Sequence, residues 1–231
     1  MTSLDRGPVG VLTPYVSGDA VATEALQFAV RRDLARLTVV LSSPVTAVRR
    51  AALIEHSCFM LDQLQAHHRV LDTVSWPAVL DRRPDLEDVA SRVAHAHVEV
   101  AGPIAALRNA CLDWRADAGR RPNLLPAVRE LLAALSPVLD QDAALAPVID
   151  EVLSAGASPV GRWRTAAWFA APTRLARRTF WLLDDLEPRQ AALLSARTPR
   201  AVRWILRNGF SGAYNRSAYL MWVGGGTGPA A

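Results

Sequence analysis

The chain contains no lysine, and all 26 of its basic residues are arginine. With its wealth of Ala, Leu, Val and Pro this reads as the mark of a GC-rich genome, and no mechanism follows from it. Cysteine is nearly absent as well. The two present, Cys58 and Cys111, are too few for a disulfide framework. Each lies among apolar residues at helical spacing, so both are expected to be buried free thiols without a catalytic part. No leading stretch has the charged, apolar and small-residue order of a signal peptide, and no uncharged apolar run reaches the roughly 18–20 residues of a membrane span. The expectation is therefore a cytoplasmic chain with no membrane span. Sustained strand-like alternation is also missing, which predicts an all-α fold.

What is present is enough apolar material for one large core: 51% of 231 residues are hydrophobic, too many for a disordered chain. Charge is unevenly spread. Residues 1–159 hold 15 Arg against 19 Asp and Glu, and residues 160–231 hold 11 Arg against 3, so the two parts present different surfaces. Residues 1–18 carry Gly7, Pro8, Pro14 and Gly18 without a period and read as an N-terminal arm. Residues 19–156 read as four long amphipathic helices. Residues 157–222 read as an extension of three or four shorter helices that holds five of the seven tryptophans, and residues 223–231 as a flexible tail.

Within 19–156 the stripes are regular. The first helix, starting near Asp19, places Gln27, Val30, Leu34, Leu37 and Leu41 on one face. Ser43 and Pro44 are predicted to stop it and start the next, serine as a cap and proline in a first turn. The second carries Leu53, Ser57, Met60, Leu64, His67 and Leu71 before Trp76 and Pro77, and the third carries Leu86, Ala90, Val93, His97, Val100, Ile104, Leu107 and Cys111. The fourth carries Leu124, Val128, Leu131, Leu135, Val138, Asp142, Leu145 and Ile149. Kinks are expected at Pro103 and Pro137. Short breaks between long helices favour antiparallel neighbours, hence an up-down-up-down four-helix bundle.

Three of these stripes are each interrupted by one ionisable residue: His67, His97 and Asp142. In an antiparallel hairpin, residues equidistant from the turn lie level. His67 and His97 are each 15 residues from Arg82, and His97 and Asp142 are 23 and 22 from Arg120, so all three are predicted in one interior layer. Gln27 faces inward and joins within about one helical turn. Two imidazoles and a carboxylate converging inside a bundle suit a mononuclear non-haem iron site or half of a di-iron site. They suit equally a metal-free acid-base group, since a carboxylate beside an imidazole orients it and raises its pKa. The bland alternative is a satisfied polar cluster that fixes helix register. Elsewhere, His95 shares a charged face and is expected in solvent, and His56 is expected in an interhelical hydrogen bond; His68 and Asp72, four apart beside the inward stripe, are expected as an exposed pair, with support of the inward histidines as the lesser alternative.

The residues Arg31, Arg32, Asp33 and Leu34 in the first helix, the doublet His67 and His68 followed by Asp72, Trp76 and Pro77 in the second, and His97 in the third form a recognisable pattern. It resembles the hemerythrin-like, HHE cation-binding bundles over roughly residues 20–153. That resemblance implies a four-helix bundle whose histidines and carboxylates hold a di-iron centre. His67, His97 and Asp142 match ligand positions, whereas Gln27, Leu71 and Pro137 stand where the family has further ligands, and leucine and proline offer no donor atom.

Two functional expectations follow. The first is a repurposed bundle that holds a hydrophobic small molecule in the former metal cavity without a cofactor. His67, His97 and Asp142 would be its catalytic groups, and Gln27, Leu71, Trp76 and Val138 would line the pocket. A metal-independent cyclase, isomerase or lyase of specialised biosynthesis fits that description. The second keeps non-haem iron on His67, His97 and Asp142 and handles oxygen, peroxide or nitric oxide. A third class is a non-enzymatic interaction module using Arg162, Arg164, Arg174, Arg177 and Arg178. A solvated helix face is the preferred reading of those arginines, and no nucleic-acid motif is present.

Overall fold

The computed structural model describes residues 20–154, 172–196, 203–204 and 208–223. The N-terminal arm, the arginines at 162 and 164 and the tail beyond Val223 lie outside the described residues. The described residues form helices joined by turns and short irregular links, with no strand among them. In chain order the α-helices are α1 (Ala20–Val40), α2 (Ala47–Val70), α3 (Trp76–Leu80), α4 (Glu87–Ala116), α5 (Leu124–Ser154), α6 (Pro172–Leu183), α7 (Pro188–Ala196) and α8 (Ser211–Trp222).

The stripes read from the sequence are the faces that pack. Leu34, Leu37, Leu53, Met60, Leu64, Ile104, Leu107, Leu131 and Leu135 are all removed from water and belong to one apolar cluster. Long helices with one apolar stripe each bury it only against one another, which is why α1 packs on α2 and α5, and α4 on α2 and α5. Cross-helix polar contacts give the directions. Arg31 in the middle of α1 meets Asp140 in the middle of α5 at 2.6 Å, while Arg121, just before α5, donates to the Leu41 and Ser43 carbonyls beyond the end of α1. Arg108 on α4 meets Asp62 on α2 at 2.7 Å, and His97 on α4 meets Asp72, beyond the end of α2, at 2.7 Å. Both pairs of helices are antiparallel.

Local detail departs from the sequence reading in three places. The cap of α2 is Thr46, whose side-chain oxygen accepts from the Arg49 amide at 3.3 Å; Ser43 and Pro44 lie in the link before it. A π-turn at Leu71–Ser75 joins α2 to α3. Its cause is Pro77, which has no amide proton and crowds the carbonyl four residues earlier, so the Trp76 amide reaches back five residues to Leu71 instead. As expected, Pro103 and Pro137 lie inside helices that continue through them, and so does Pro147. At Pro103 the carbonyl left without a donor belongs to Glu99, an exposed position where water can replace the lost bond. Finally, the arginines of α6 are not a solvated row. Arg177 pairs with Glu55 at 2.6 Å and lies over the Phe59 ring, Arg178 is buried, and only Arg174 is exposed.

The stretch Ala118–Ser154 is long and apolar enough, by length and composition, to cross a membrane. Here α5 lays its stripe against α1 and α4, and the buried Asp142 interrupts it, as suits the core helix of a helical assembly.

The C-terminal helices complete the same core. Trp181, Leu182, Leu186, Leu194 and Met221 belong to the cluster that α1, α2, α4 and α5 enclose. They are held by a polar knot centred on Asp33, which is wholly shielded from water on α1. Its carboxylate takes His56 at 2.6 Å, the Trp181 indole N–H at 2.7 Å and the Arg32 guanidinium at 2.8 Å. Arg32 and Arg36 continue to Asp184 and Asp185, where the chain turns after α6 with Asp185 in the left-handed region at φ 52°. From the other side Arg49 donates to the Met221 carbonyl at 2.9 Å, and Trp222 sets its edge against His56. Burial alone pushes the Asp33 carboxyl up, but the contacts with His56 and Arg32 outweigh it and hold it at about 2 against an ordinary 3.8.

That depressed carboxyl makes stability fall on the acid side. Asp33 contributes on the order of 2 kcal/mol that is fully present above about pH 4 and is lost as pH drops through about 2. Urea midpoints measured across that window should fall with acidification. In Asp33→Asn the fall should be shallower and the plateau above it lower; a slope equal to that of the parent chain would show that Asp33 is not held ionised.

Candidate functional site

The apolar interior is not continuous. The main cluster reaches Leu64 on α2, Val100 on α4 and Val138 on α5; a second, smaller one gathers Leu71, Trp76, Val79, Ala90, Val93 and Ile149. Between the last residues of the one and the first of the other, on three helices at once, lie His67, His97 and Asp142. All three are buried, with exposures of 6%, 5% and 4%. The layer inferred from turn spacing therefore exists, and its members meet. His97 Nε2 lies 3.3 and 3.4 Å from the two Asp142 oxygens, and His67 Nε2 lies 3.8 Å from Asp142 Oδ2, too far for a hydrogen bond but close enough for charge interaction.

The sequence reading missed one member and misplaced another. His68 is as buried as His67, and its ring stacks on that of His97 with centroids 4.1 Å apart and planes 9° from parallel. It is not the partner of Asp72. Asp72 instead accepts from His97 Nδ1 at 2.7 Å, so His97 is gripped at both ring nitrogens by carboxylates from different helical segments. The reason is geometric. An interior face about 100° wide admits two consecutive helical positions, and a histidine doublet straddling the stripe turns both rings inward. The doublet itself was the available signal. His56 makes its interhelical hydrogen bond with Asp33, and His95 stands in solvent beside Glu99.

Of the residues expected to line a pocket, Gln27, Leu71, Trp76 and Val138 are all buried. Leu71 and Trp76 belong to the smaller cluster and Val138 to the larger, so they close the polar layer from its two sides. Gln27 stands on α1, one turn before the Arg31 that meets Asp140, which sets it within about one helical turn of the height of Asp142.

Charge in the layer is set by burial working against partners. Burial pushes the Asp142 carboxyl up, but His67 and His97 outweigh it and hold the group at about 2. Burial pulls His97 down, but Asp142 and then Asp72 reverse the direction, so its pKa is raised above 6.5. His68 has no carboxylate of its own; burial, then the neighbouring His97 and His67, lower it to about 3, and it stays neutral. Several buried nitrogens have no hydrogen-bond partner among the described residues: Nε2 of His67, Nε2 of His68, Nε2 of Gln27 and Nε1 of Trp76. A buried donor or acceptor left unpaired costs about 1–3 kcal/mol. Several in one neighbourhood point to a guest that satisfies them.

The donor atoms of His68, His97 and Asp142 lie within 4.8 Å of one another, a spacing that one metal ion can span. The neutral His68 imidazole and the ionised Asp142 carboxylate are in the protonation states a metal needs, whereas His97 would have to give up a proton. Comparison with family models, with curated proteins and with solved structures finds no match to this chain.

The grip on His97 has a direct readout. Histidine ring resonances followed by NMR through a pH titration of the metal-free chain should show His68 staying neutral until about pH 3. His97 should hold its proton above the ordinary histidine midpoint. Replacing Asp72 with Asn should move the His97 midpoint down; an unmoved midpoint would mean that Asp72 does not act on it.

Proposed function

We propose that this chain is an up-down-up-down four-helix bundle of the hemerythrin-like kind that keeps a reduced metal centre, a single non-haem iron held by His67, His68, His97 and Asp142. The observation that carries this reading is the pair of unpaired imidazole nitrogens, on His67 and His68, buried beside a carboxylate that is held ionised. Asp72 supports it, because a carboxylate on the far nitrogen of a ligating histidine fixes ring orientation and strengthens the donor. Imidazole with carboxylate is a donor set that iron accepts. Leu71 and Pro137, standing where the family has further ligands, argue for one ion and not two.

Bound there, iron would supply an open position for a small oxygen species: dioxygen, peroxide or nitric oxide. The work left to the chain is to hold and to exclude. Asp142 would supply negative charge, and His68 would come to the ion without giving up a proton. His97 would have to release the proton on its Nε2 while Asp72 keeps the one on Nδ1. The stacked rings of His68 and His97 would turn about their own side-chain bonds to aim both nitrogens at one point. Leu64, Val100 and Val138 on one side and Leu71, Trp76 and Val93 on the other would keep bulk water out, and Gln27 offers an unpaired amide to whatever the ion binds.

His97 also motivates a second reading. An imidazole with a raised pKa, clamped between two carboxylates, is built like a general acid. A hydrophobic organic molecule in a metal-free interior, cyclised, isomerised or cleaved by His97 with Asp142 and His67, is that alternative.

Metal analysis separates the two. After anaerobic reconstitution and desalting the chain should retain stoichiometric iron, His68→Ala or Asp142→Ala should lose it, and Asp72→Asn should weaken binding by about 10–100-fold. Iron far below stoichiometry in the reconstituted parent chain would overturn the metal reading. On the acid-base reading the same chain works fully in the presence of chelator, and His67→Ala or Asp142→Ala abolishes turnover while circular dichroism stays unchanged.

A further inference from the structure

Cys58 on α2 and Cys111 on α4 take no part in the site above. Two contacts fix the register of these antiparallel helices, Arg108 with Asp62 at 2.7 Å and His97 with Asp72 at 2.7 Å. Continued past Arg108, the same register sets Cys111 on α4 level with Cys58 on α2, near enough for each thiol to act on the ionisation of the other. Both cysteines are free. Cys111 has no exposure at all, while Cys58 is half-buried, so a reagent arriving from solvent meets Cys58 first. The surroundings divide their roles further. The neighbouring Cys111 thiol and the guanidinium groups of Arg108 and Arg115 favour negative charge on Cys58, so its pKa is lowered, while Cys58 and burial raise that of Cys111.

We propose that Cys58 and Cys111 are a dithiol site, with Cys58 as the attacking and Cys111 as the resolving sulfur, that a hydroperoxide converts to an internal disulfide tying α2 to α4. In the first step the Cys58 thiolate attacks one oxygen of hydrogen peroxide. An S–O bond forms, the O–O bond breaks, and the departing hydroxide takes a proton and leaves as water. In the second step the Cys111 sulfur attacks the sulfenic sulfur of Cys58. An S–S bond forms, the S–O bond breaks, and the hydroxyl leaves with the Cys111 proton as a second water. Two thiols lose two electrons in all, and one peroxide gains them.

The site is separate from the polar layer. Cys58 precedes His67 by nine residues, roughly 13 Å along the helix. The experiment is therefore done on metal-free chain, so its outcome does not depend on the metal reading. Reduced, chelator-treated protein is titrated with hydrogen peroxide, free thiols are counted in denaturant, and a non-reduced digest is mapped by mass spectrometry. The expected result is a drop from two thiols per chain to none, a peptide pair joined through Cys58 and Cys111, and full recovery with dithiothreitol. In Cys111→Ser, Cys58 should stop at a sulfenic acid that dimedone captures, and in Cys58→Ser, Cys111 should stay reduced. The parent chain alone decides the matter if a variant fails to fold. Thiols that persist at a dose consuming free glutathione overturn the proposal. So does oxidation of Cys58 to sulfinic acid with Cys111 still free, or a link that forms between chains.

Discussion

A carboxylate taken out of water between helices must be met by donors from its neighbours, and this chain makes that demand twice in its interior. Asp33 is met by His56, Arg32 and Trp181, and Asp142 by His97 with His67 nearby. Apolar stripes can slide past one another at little cost, because leucine packs on leucine in many registers. A buried carboxylate with a distant donor cannot slide, since each lost contact leaves charge uncompensated. The two aspartates thus fix α1 against α2 and α6, and α5 against α4.

The two clusters answer the same demand with different results. Around Asp33 nearly every donor is used: a ring nitrogen, an indole and a guanidinium converge on two oxygens, and the knot holds the C-terminal helices on the core. Around Asp142 the arrangement is incomplete. Three imidazoles surround a single carboxylate, one of them is held by Asp72 from behind, and two keep a nitrogen with no partner among the described residues. A structural staple has no reason to keep that deficit, whereas a binding site does.

Much of the architecture could be read from spacing alone. Positions at three- and four-residue intervals, from Val30 to Leu41 and from Leu124 to Ile149, pointed inward as the period requires. Counting from the two turns placed His67, His97 and Asp142 at one height, because rise per residue is fixed in a helix. What spacing misjudged was local. The cap at Thr46 lost out to the more familiar serine and proline before it. Prolines 103 and 137 were expected inside their helices, and both helices run through them. The π-turn was hidden, since one extra residue per turn leaves no compositional trace beyond Pro77.

By itself the sequence determined the helical class, the stripes and the level at which ionisable residues interrupt them, since all of these follow from a repeat that every residue obeys. Only the tertiary structure decided which groups meet. His68 turned from an expected surface residue into a ring stacked on His97, Asp72 moved from His68 to His97, and Cys58 came to rest against Cys111. Those outcomes depend on the rotation of each helix about its own axis and on the register between helices. Contacts such as Asp33 with Trp181, far apart in the chain, set both, and no local pattern encodes them.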